Sequence, residues 1–419
     1  MEKKSILGGT IITAAVRCNM LFGGKTMKVK EVRGVDVVTG LDRTEKWDVY
    51  GTDLGIPVYS PTRRRMYFLF GDTEGISEYD KTQPRYWRGT VAGYTDDMDF
   101  TKGINWDGFL LDGEGRAKEL VFSHHSKKDV HKERSKISQG GIEINGNLYV
   151  FYESICYWGP LASGYWYLNY GGTLKSTDGG ETFEKVYDLT WIEPLEDDDR
   201  FENASLCATE DMNLNPSGVE FDAKAHIAPG FGQMYGCDGK DGYIYIFGRY
   251  GGRIHGIKVG RVKKESFEDF SAYEYLTEYD ESGEAVWKPY REGLDAIIAN
   301  PEKAEIIPAP TSNMSVAYNN YLQKWLLTYY YPNKGIMFAT AESPYGPYCE
   351  PQMVLPIDHP ELTKEIDIEF NSNSLYGGFT HEMMYRENGK IVPIVISQWY
   401  RRAGKNRFYG SRLFEIEFE

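Results

Sequence analysis

A hairpin signal that returns five times constrains this chain more than any other feature. Five aromatic or β-branched runs each follow a turn: Tyr67-Phe68-Leu69-Phe70, Tyr149-Val150-Phe151-Tyr152, Tyr245-Ile246-Phe247, Leu326-Leu327-Thr328-Tyr329 and Ile394-Val395-Ile396. The turns are Pro61-Thr62-Arg63, Asn145-Gly146-Asn147, Asp238-Gly239-Lys240, Asn319-Asn320 and Asn388-Gly389-Lys390. Gly and Asn accept the positive φ of tight turns, and Pro fixes its own φ. From Tyr67 through Tyr149, Tyr245 and Leu327 to Val395 the recurrence is 82, 96, 82 and 68 residues. A Gly- or Pro-rich segment precedes each turn, and a lighter third strand follows each run, at 90–96, 172–176, 254–259, 335–339 and 408–414. Five antiparallel sheets in series, each needing neighbours on both faces, predict an all-β chain folded as a five-bladed β-propeller. A pair of β-sandwiches is the alternative. Residues 28–39 are expected to pair with the last blade and close the ring. The division is then an N-terminal segment, 1–44, and a single propeller domain, 45–419.

Composition narrows the partners. The chain has 419 residues, 41% hydrophobic and 15% aromatic, with 45 Gly and 32 Tyr, which suits short strands and many turns. A net charge of -15 disfavours nucleic acid and anionic membranes, which select Lys/Arg patches, but is compatible with a neutral sugar. The apolar run of residues 5–23 invites a signal-peptide reading that Arg17 and Asn19 and the want of a clean cleavage site make weak, and no stretch is long enough to predict a membrane helix. Cys18, Cys156, Cys207, Cys237 and Cys349 are scattered, without a CxxC, and read as isolated thiols, with one disulfide as the alternative.

Folding the first hairpin about Thr62 and Arg63 sets Asp53 opposite Asp72. Two acids facing each other repel, a cost without structural reward, and glycoside cleavage needs one protonated and one ionised carboxyl. Asp53 and Asp72 are therefore the predicted catalytic pair, with Glu153 as the acid to consider if they are not. The competing reading makes each a turn cap. Reflecting the other hairpins about their turns brings Gln139, Glu153, Arg249, Asn313, Tyr331, Tyr376, Gln398 and Trp399 to the same mouth as predicted substrate contacts. Amides, an arginine and aromatic faces are what a sugar requires.

Other motifs are read as structure. Ser176-Thr177-Asp178-Gly179-Gly180-Glu181-Thr182-Phe183 matches the Asp-box turn of propeller rims. His124, His125, Asp129 and His131 fall in a Lys-rich polar loop, and Glu196-Asp197-Asp198-Asp199 lacks calcium-ligand spacing, so no metal or other cofactor is predicted. His381 is the isolated histidine placed near an inner strand. The longer polar segments 100–136, 184–225 and 261–305 are expected as rim insertions that could wall a cleft.

Tyr50-Gly51-Thr52-Asp53-Leu54-Gly55-Ile56-Pro57 with Phe70-Gly71-Asp72-Thr73 resembles the opening of a bacterial propeller family long catalogued as a domain of unknown function, which includes endo-D-arabinanases. Further matching elements are Gln139-Gly140-Gly141, Trp158-Gly159-Pro160 before Asn169-Tyr170, and Lys175-Ser176-Thr177-Asp178-Gly179-Gly180. Phe338-Ala339-Thr340-Ala341-Glu342-Ser343-Pro344-Tyr345-Gly346-Pro347-Tyr348, Tyr376-Gly377-Gly378-Phe379-Thr380-His381 and Ser397-Gln398-Trp399 complete the set. The resemblance runs from about residue 45 onward. It implies glycoside hydrolysis, with Asp53 and Asp72 as acid/base and nucleophile or base, a polysaccharide partner such as D-arabinan, and action outside the cell. The sequence departs from that pattern in lacking a clear export signal, and cytoplasmic action is the alternative. L-arabinan or exo-furanosidase specificity, or sugar binding without catalysis, are the competing functions.

Overall fold

The computed structural model describes residues 27–419 apart from 79, 125–132, 159–165, 194–217, 219, 365–367, 370–374 and 403–407. An N-terminal strand, β1 (Val29–Val37), precedes the first blade, which holds β2 (Gly51–Ser60), β3 (Arg65–Glu74), β4 (Trp87–Arg88), β5 (Val91–Thr95) and β6 (Gly108–Phe109). Blade two is β7 (Ser135–Ile144), β8 (Asn147–Trp158), β9 (Trp166–Ser176) and β10 (Glu184–Ile192). Blade three is β11 (Gln233–Asp238), β12 (Tyr243–Arg249), β13 (Lys258–Lys263), β14 (Glu274–Tyr279) and β15 (Ala285–Pro289), capped by helix α1 (Tyr290–Ala299). Blade four is β16 (Met314–Asn319), β17 (Lys324–Tyr331), β18 (Gly335–Ala341) and β19 (Gln352–Pro356). The last sheet contains β20 (Ile368–Glu369), β21 (Leu375–Phe379), β22 (Ile391–Arg402) and β23 (Phe408–Phe418), with β1 at its outer edge.

The innermost strands meet in a cycle: β2 touches β7, β7 touches β11, β11 touches β16, β16 touches β21, and β21 returns to β2. This is a five-bladed β-propeller. Antiparallel pairing from Val29↔Phe418 to Val37↔Arg412 makes the N-terminal strand the outermost strand of blade five. The aromatic runs are apolar on both faces because each blade is covered by its neighbours. Phe68, Phe70, Phe151, Phe247, Leu326, Leu327, Ile394 and Ile396 are all fully buried. Burying one such side chain stabilises by about 1.5–3 kcal/mol, so these runs supply much of the inter-blade adhesion.

The Asp-box holds blade two to blade one. Asp178 Oδ1 accepts from Ser176 Oγ (2.7 Å) and Thr182 N (3.0 Å), and the exposed turn offers its Gly179 carbonyl to the Tyr67 hydroxyl at 2.5 Å. The segments expected as rim insertions instead supply outer strands: β6 within 100–136, β10 within 184–225, and β14, β15 and α1 within 261–305. Their inward residues, such as Leu189, Trp191, Tyr273, Tyr275 and Leu294, are buried. Cys156 and Cys237 are free and buried, as isolated thiols, and Cys349 is disulfide-bonded, so the one-disulfide alternative holds over isolated thiols throughout. His125, Asp129, His131 and Glu196-Asp197-Asp198-Asp199 lie outside the described residues. Among those described, no three His, Cys, Asp or Glu side chains are grouped to hold a metal, and no helix is long and apolar enough to cross a membrane.

Candidate active site

The first hairpin reverses where expected, with Ser60 opposite Arg65 and Thr52 opposite Thr73. Between those pairs the ladder is irregular. Leu54 pairs with Phe70, so Asp53 faces the two residues Gly71 and Asp72 in place of one direct partner, and Gly55 is then extra on β2. Paired bulges of this kind re-aim side chains next to functional sites. Leu54 takes φ 68° and Gly55 φ 87°. A left-handed Leu is strained and must be held by its surroundings. Blade five holds it: Ser397 Oγ accepts from Leu54 N at 2.8 Å, and Ser411 Oγ donates to Leu54 O at 3.2 Å. Gly71 is required for a different reason. A Cβ there would lie 2.5 Å from Asp53 Oδ1, so the carboxyl rests over a bare Cα.

Asp53 Oδ2 accepts from the Tyr376 hydroxyl at 2.7 Å, while Oδ1 is sealed from solvent without a hydrogen bond. Burial first, and then the charge of Asp72, push the Asp53 carboxyl up to about 7; Tyr376, Tyr409 and the positive charge of Arg253 pull the other way. Asp72, partly exposed, accepts on Oδ1 from Trp87 Nε1 (3.0 Å) and Ser135 Oγ (3.1 Å).

Glu153 is the third acid at this mouth. Its Oε1 accepts from Gln139 Nε2 at 2.8 Å, and its Oε2 from Gln233 Nε2 and, at 3.4 Å, from Trp166 Nε1. Burial raises it to about 7, with the Asp72 charge adding to the rise, against the pull of Gln233, Arg249 and Trp166. Gln139 reaches it because β7 bulges there: Ser138 pairs with Tyr152 and Gly140 with Phe151, leaving Gln139 unpaired in the ladder. Arg249 is buried behind Glu153, and desolvation lowers its guanidinium to about 9. It donates Nη1 to the Gly252 carbonyl. Beyond it, Glu193 accepts from Gly232 N at 2.6 Å and is raised by burial to about 8.

The predicted contacts thus divide. Gln139, Glu153, Arg249 and Tyr376 gather with Asp53 and Asp72. Trp399 is half-buried and pairs across the strand with Tyr409, on the same face as Tyr376 and Ser397. Gln398 points to the opposite face, because strand residues alternate: its Oε1 accepts from Arg412 Nη1 at 2.8 Å, away from the acids. Tyr331 also lies on the wrong face of its strand, and it is Tyr330 that comes within ring distance of Arg253. Asn313 offers its carbonyl to Tyr330 N at 3.0 Å and its Oδ1 to Ser312 Oγ at 3.3 Å. Among the described residues, neither Tyr331 nor Asn313 bonds to an acid of the cluster. His381 caps a short turn by accepting from Met383 N at 3.1 Å. Sequence reasoning missed Trp87, Ser135, Trp166, Gln233, Arg253 and Tyr409. Of these only Gln233 sits where reflecting a hairpin would have found it, since it pairs with Arg249.

Among solved structures the chain is similar to a protein from Bacteroides ovatus ATCC 8483 assigned provisionally as a hydrolase (TM-score 0.52, 12% identity, 88% of this chain and 86% of that one). It is also similar to the α-L-arabinofuranosidase of Podospora anserina (TM-score 0.42, 9% identity, 93% and 97%). A third is the xylan β-1,4-xylosidase of Bacillus halodurans C-125 (TM-score 0.45, 10% identity), where the match spans 89% of this chain and 54% of that one. At these identities the first likeness shows the fold alone. No curated protein matches the sequence. The profile of DUF4185, described as a domain of unknown function, matches residues 39–414, so the chain belongs to the DUF4185 family.

Proposed function

We propose that the protein is a glycoside hydrolase that cuts arabinofuranan-type polysaccharide, D-arabinan first, at internal bonds. The observation that carries this reading is the convergence of Asp53 and Asp72 from one bulged hairpin, the first enclosed and the second partly exposed. Asp53, enclosed and repelled by its neighbour, keeps its proton to about pH 7 and serves as general acid to the departing glycosidic oxygen. Asp72, which accepts from Trp87 and Ser135, acts at the anomeric carbon as nucleophile or as base toward water. The proton leaves Asp53 as the C–O bond breaks, and the oxocarbenium-like charge falls beside Asp72.

Half-buried aromatic side chains on both sides of blade one, Trp166 from blade two and Trp399 from blade five, support a chain lying across the acids and therefore internal cleavage. The resemblance of the two Asp-bearing motifs to endo-D-arabinanases supports D-arabinan as substrate. The disulfide at Cys349 supports action in an oxidising compartment. The test is incubation with D-arabinan, L-arabinan and nitrophenyl furanosides, followed by sizing of the products. A ladder of D-arabino-oligosaccharides is expected. Single sugars alone would reject internal cleavage, and no product from any of the three would leave a sugar-binding propeller as the better reading.

A further inference from the structure

Arg253 sits in the loop of residues 250–257 that joins β12 to β13 in blade three, yet its ring neighbours come from blades two, four and five. Its guanidinium carbon lies 5.4 Å from the Trp166 ring centroid of blade two, 5.4 Å from Tyr330 of blade four and 5.0 Å from Tyr376 of blade five. Its charge acts on Asp53 of blade one. A side chain ringed by three other blades, with its charge reaching Asp53 in the remaining one, lies where the blades converge. The loop is braced from within: Arg249 donates to the Gly252 carbonyl, and Tyr250 packs against His255 in a tilted pair with ring centroids 4.8 Å apart.

Arg253 is partly exposed, and among the described residues nothing accepts a hydrogen bond from it; its Nε is buried without a partner. Five N–H donors in a rigid fork, clamped by rings and left unpaired, form a demand that the free protein does not meet. The acids nearby do not meet it either: Asp53 accepts from Tyr376 on Oδ2 and from nothing on Oδ1, and Glu153 accepts from amides and an indole.

We propose that Arg253 is the substrate-binding residue at the cleavage point, donating its fork to hydroxyl oxygens of the furanose whose bond is broken and setting that ring against Asp53. This rests on the glycosidase reading above. The rings of Trp166, Tyr330 and Tyr376 surround the guanidinium, so less rotamer freedom is lost when sugar binds than for a free arginine. Arg253 also has an electrostatic duty. The groups facing Asp53 are Asp72, Tyr376, Tyr409 and Arg253, and Arg253 is the cation among them.

Two substitutions separate the duties. Arg253→Lys keeps the charge and loses the fork; Arg253→Met loses both and keeps most of the bulk. Steady-state kinetics on D-arabinan, with kcat and KM resolved from pH 5 to pH 9, would be compared with melting temperature. Both variants are expected to melt like the wild type and to raise KM, by roughly 10-fold or more for Arg253→Met, as loss of charge-assisted hydrogen bonds demands. The alkaline limb of kcat/KM should stay in place for Arg253→Lys and move to higher pH for Arg253→Met, because removing a cation lets Asp53 hold its proton longer. A merely structural arginine would lower the melting temperature and leave KM and the limb of the remaining folded enzyme unchanged, which would overturn the proposal. Unchanged KM and limb in a fully stable Arg253→Met would do the same. If the wild type cuts no arabinan, the glycosidase reading itself has failed and takes this one with it.

Discussion

Asp53 carries the clearest consequence at the scale of single residues. Its carboxyl is raised to about 7 in the folded protein from an ordinary 3.8. Below the lower value both folded and unfolded chains are protonated, so its contribution to stability is complete there. As pH rises from about 4 to about 7 the unfolded chain ionises while the folded one still holds its proton, and that stability is lost progressively. Asp53→Asn removes the titration but leaves an oxygen to accept from Tyr376. The variant should therefore gain in melting temperature relative to the wild type as pH climbs from 4 to 8, with little difference at the acid end. Scanning calorimetry across that range reads it directly, and a difference independent of pH would count against a buried, proton-holding Asp53.

The element that gives Asp53 its environment is the bulged β2–β3 hairpin. Leu54 in the left-handed region and Gly71 without a Cβ turn the acid over its partner strand, and Ser397 and Ser411 lock that turn from the neighbouring blade. Gly71→Ala would drive a methyl to 2.5 Å from Asp53 Oδ1 and 3.1 Å from both Ile137 Cγ2 and Leu54 Cδ1. Overpacking of this order costs about 1–3 kcal/mol. The variant should remain folded by circular dichroism yet lose at least a hundredfold in kcat, since a displacement of about 1 Å can cost that much. Retained activity would mean that the carboxyl does not work from this position. The sequence was informative about this hairpin up to a point. Turn chemistry located the reversal, but the reading that sets Asp53 directly opposite Asp72 misses the register shift between Thr52 and Leu54, which leaves no mark on hydrophobic alternation. The same limit explains Gln398 and Tyr331: one residue along a strand exchanges faces, so a mouth residue read from turn reflection is as easily Tyr330 as Tyr331. Arg253 and Tyr409 were illegible because a loop residue on the axis and a third-strand residue have no pattern of their own.

On the scale of the whole molecule, five sheets were legible because each carries an aromatic second strand after a turn, and that signal survives any local irregularity. Outer strands were less legible: β14 and β15 sit in a charged segment whose buried residues, Tyr275 and Leu276, are spaced among glutamates. The strand that closes the ring holds blade five through its ladder and through ion pairs, Lys28 with Glu419 at 2.5 Å and Lys30 with Glu417 at 2.8 Å. Exposed pairs contribute little, at most about 1 kcal/mol each, so the ladder should dominate. Removing residues 1–38 leaves β23 as an open edge and should lower the melting temperature by several degrees, on the order expected for a few kcal/mol. Charge-neutral variants at Lys28 and Lys30 should scarcely move it. The reverse ranking would show that the ring is held by charge.

All of these depend on whether Asp53 and Asp72 perform chemistry. The most direct measurement is the rate of D-arabinan cleavage by Asp53→Asn and Asp72→Asn beside the wild type, at pH 5.5, with melting temperature taken on the same samples. Each substitution is expected to cut kcat by about 10³ or more, since acid–base and nucleophilic groups contribute on that scale, while both proteins melt no more than a few degrees from the wild type. Cleavage persisting near the wild-type rate in either stable variant would contradict the assignment of that aspartate.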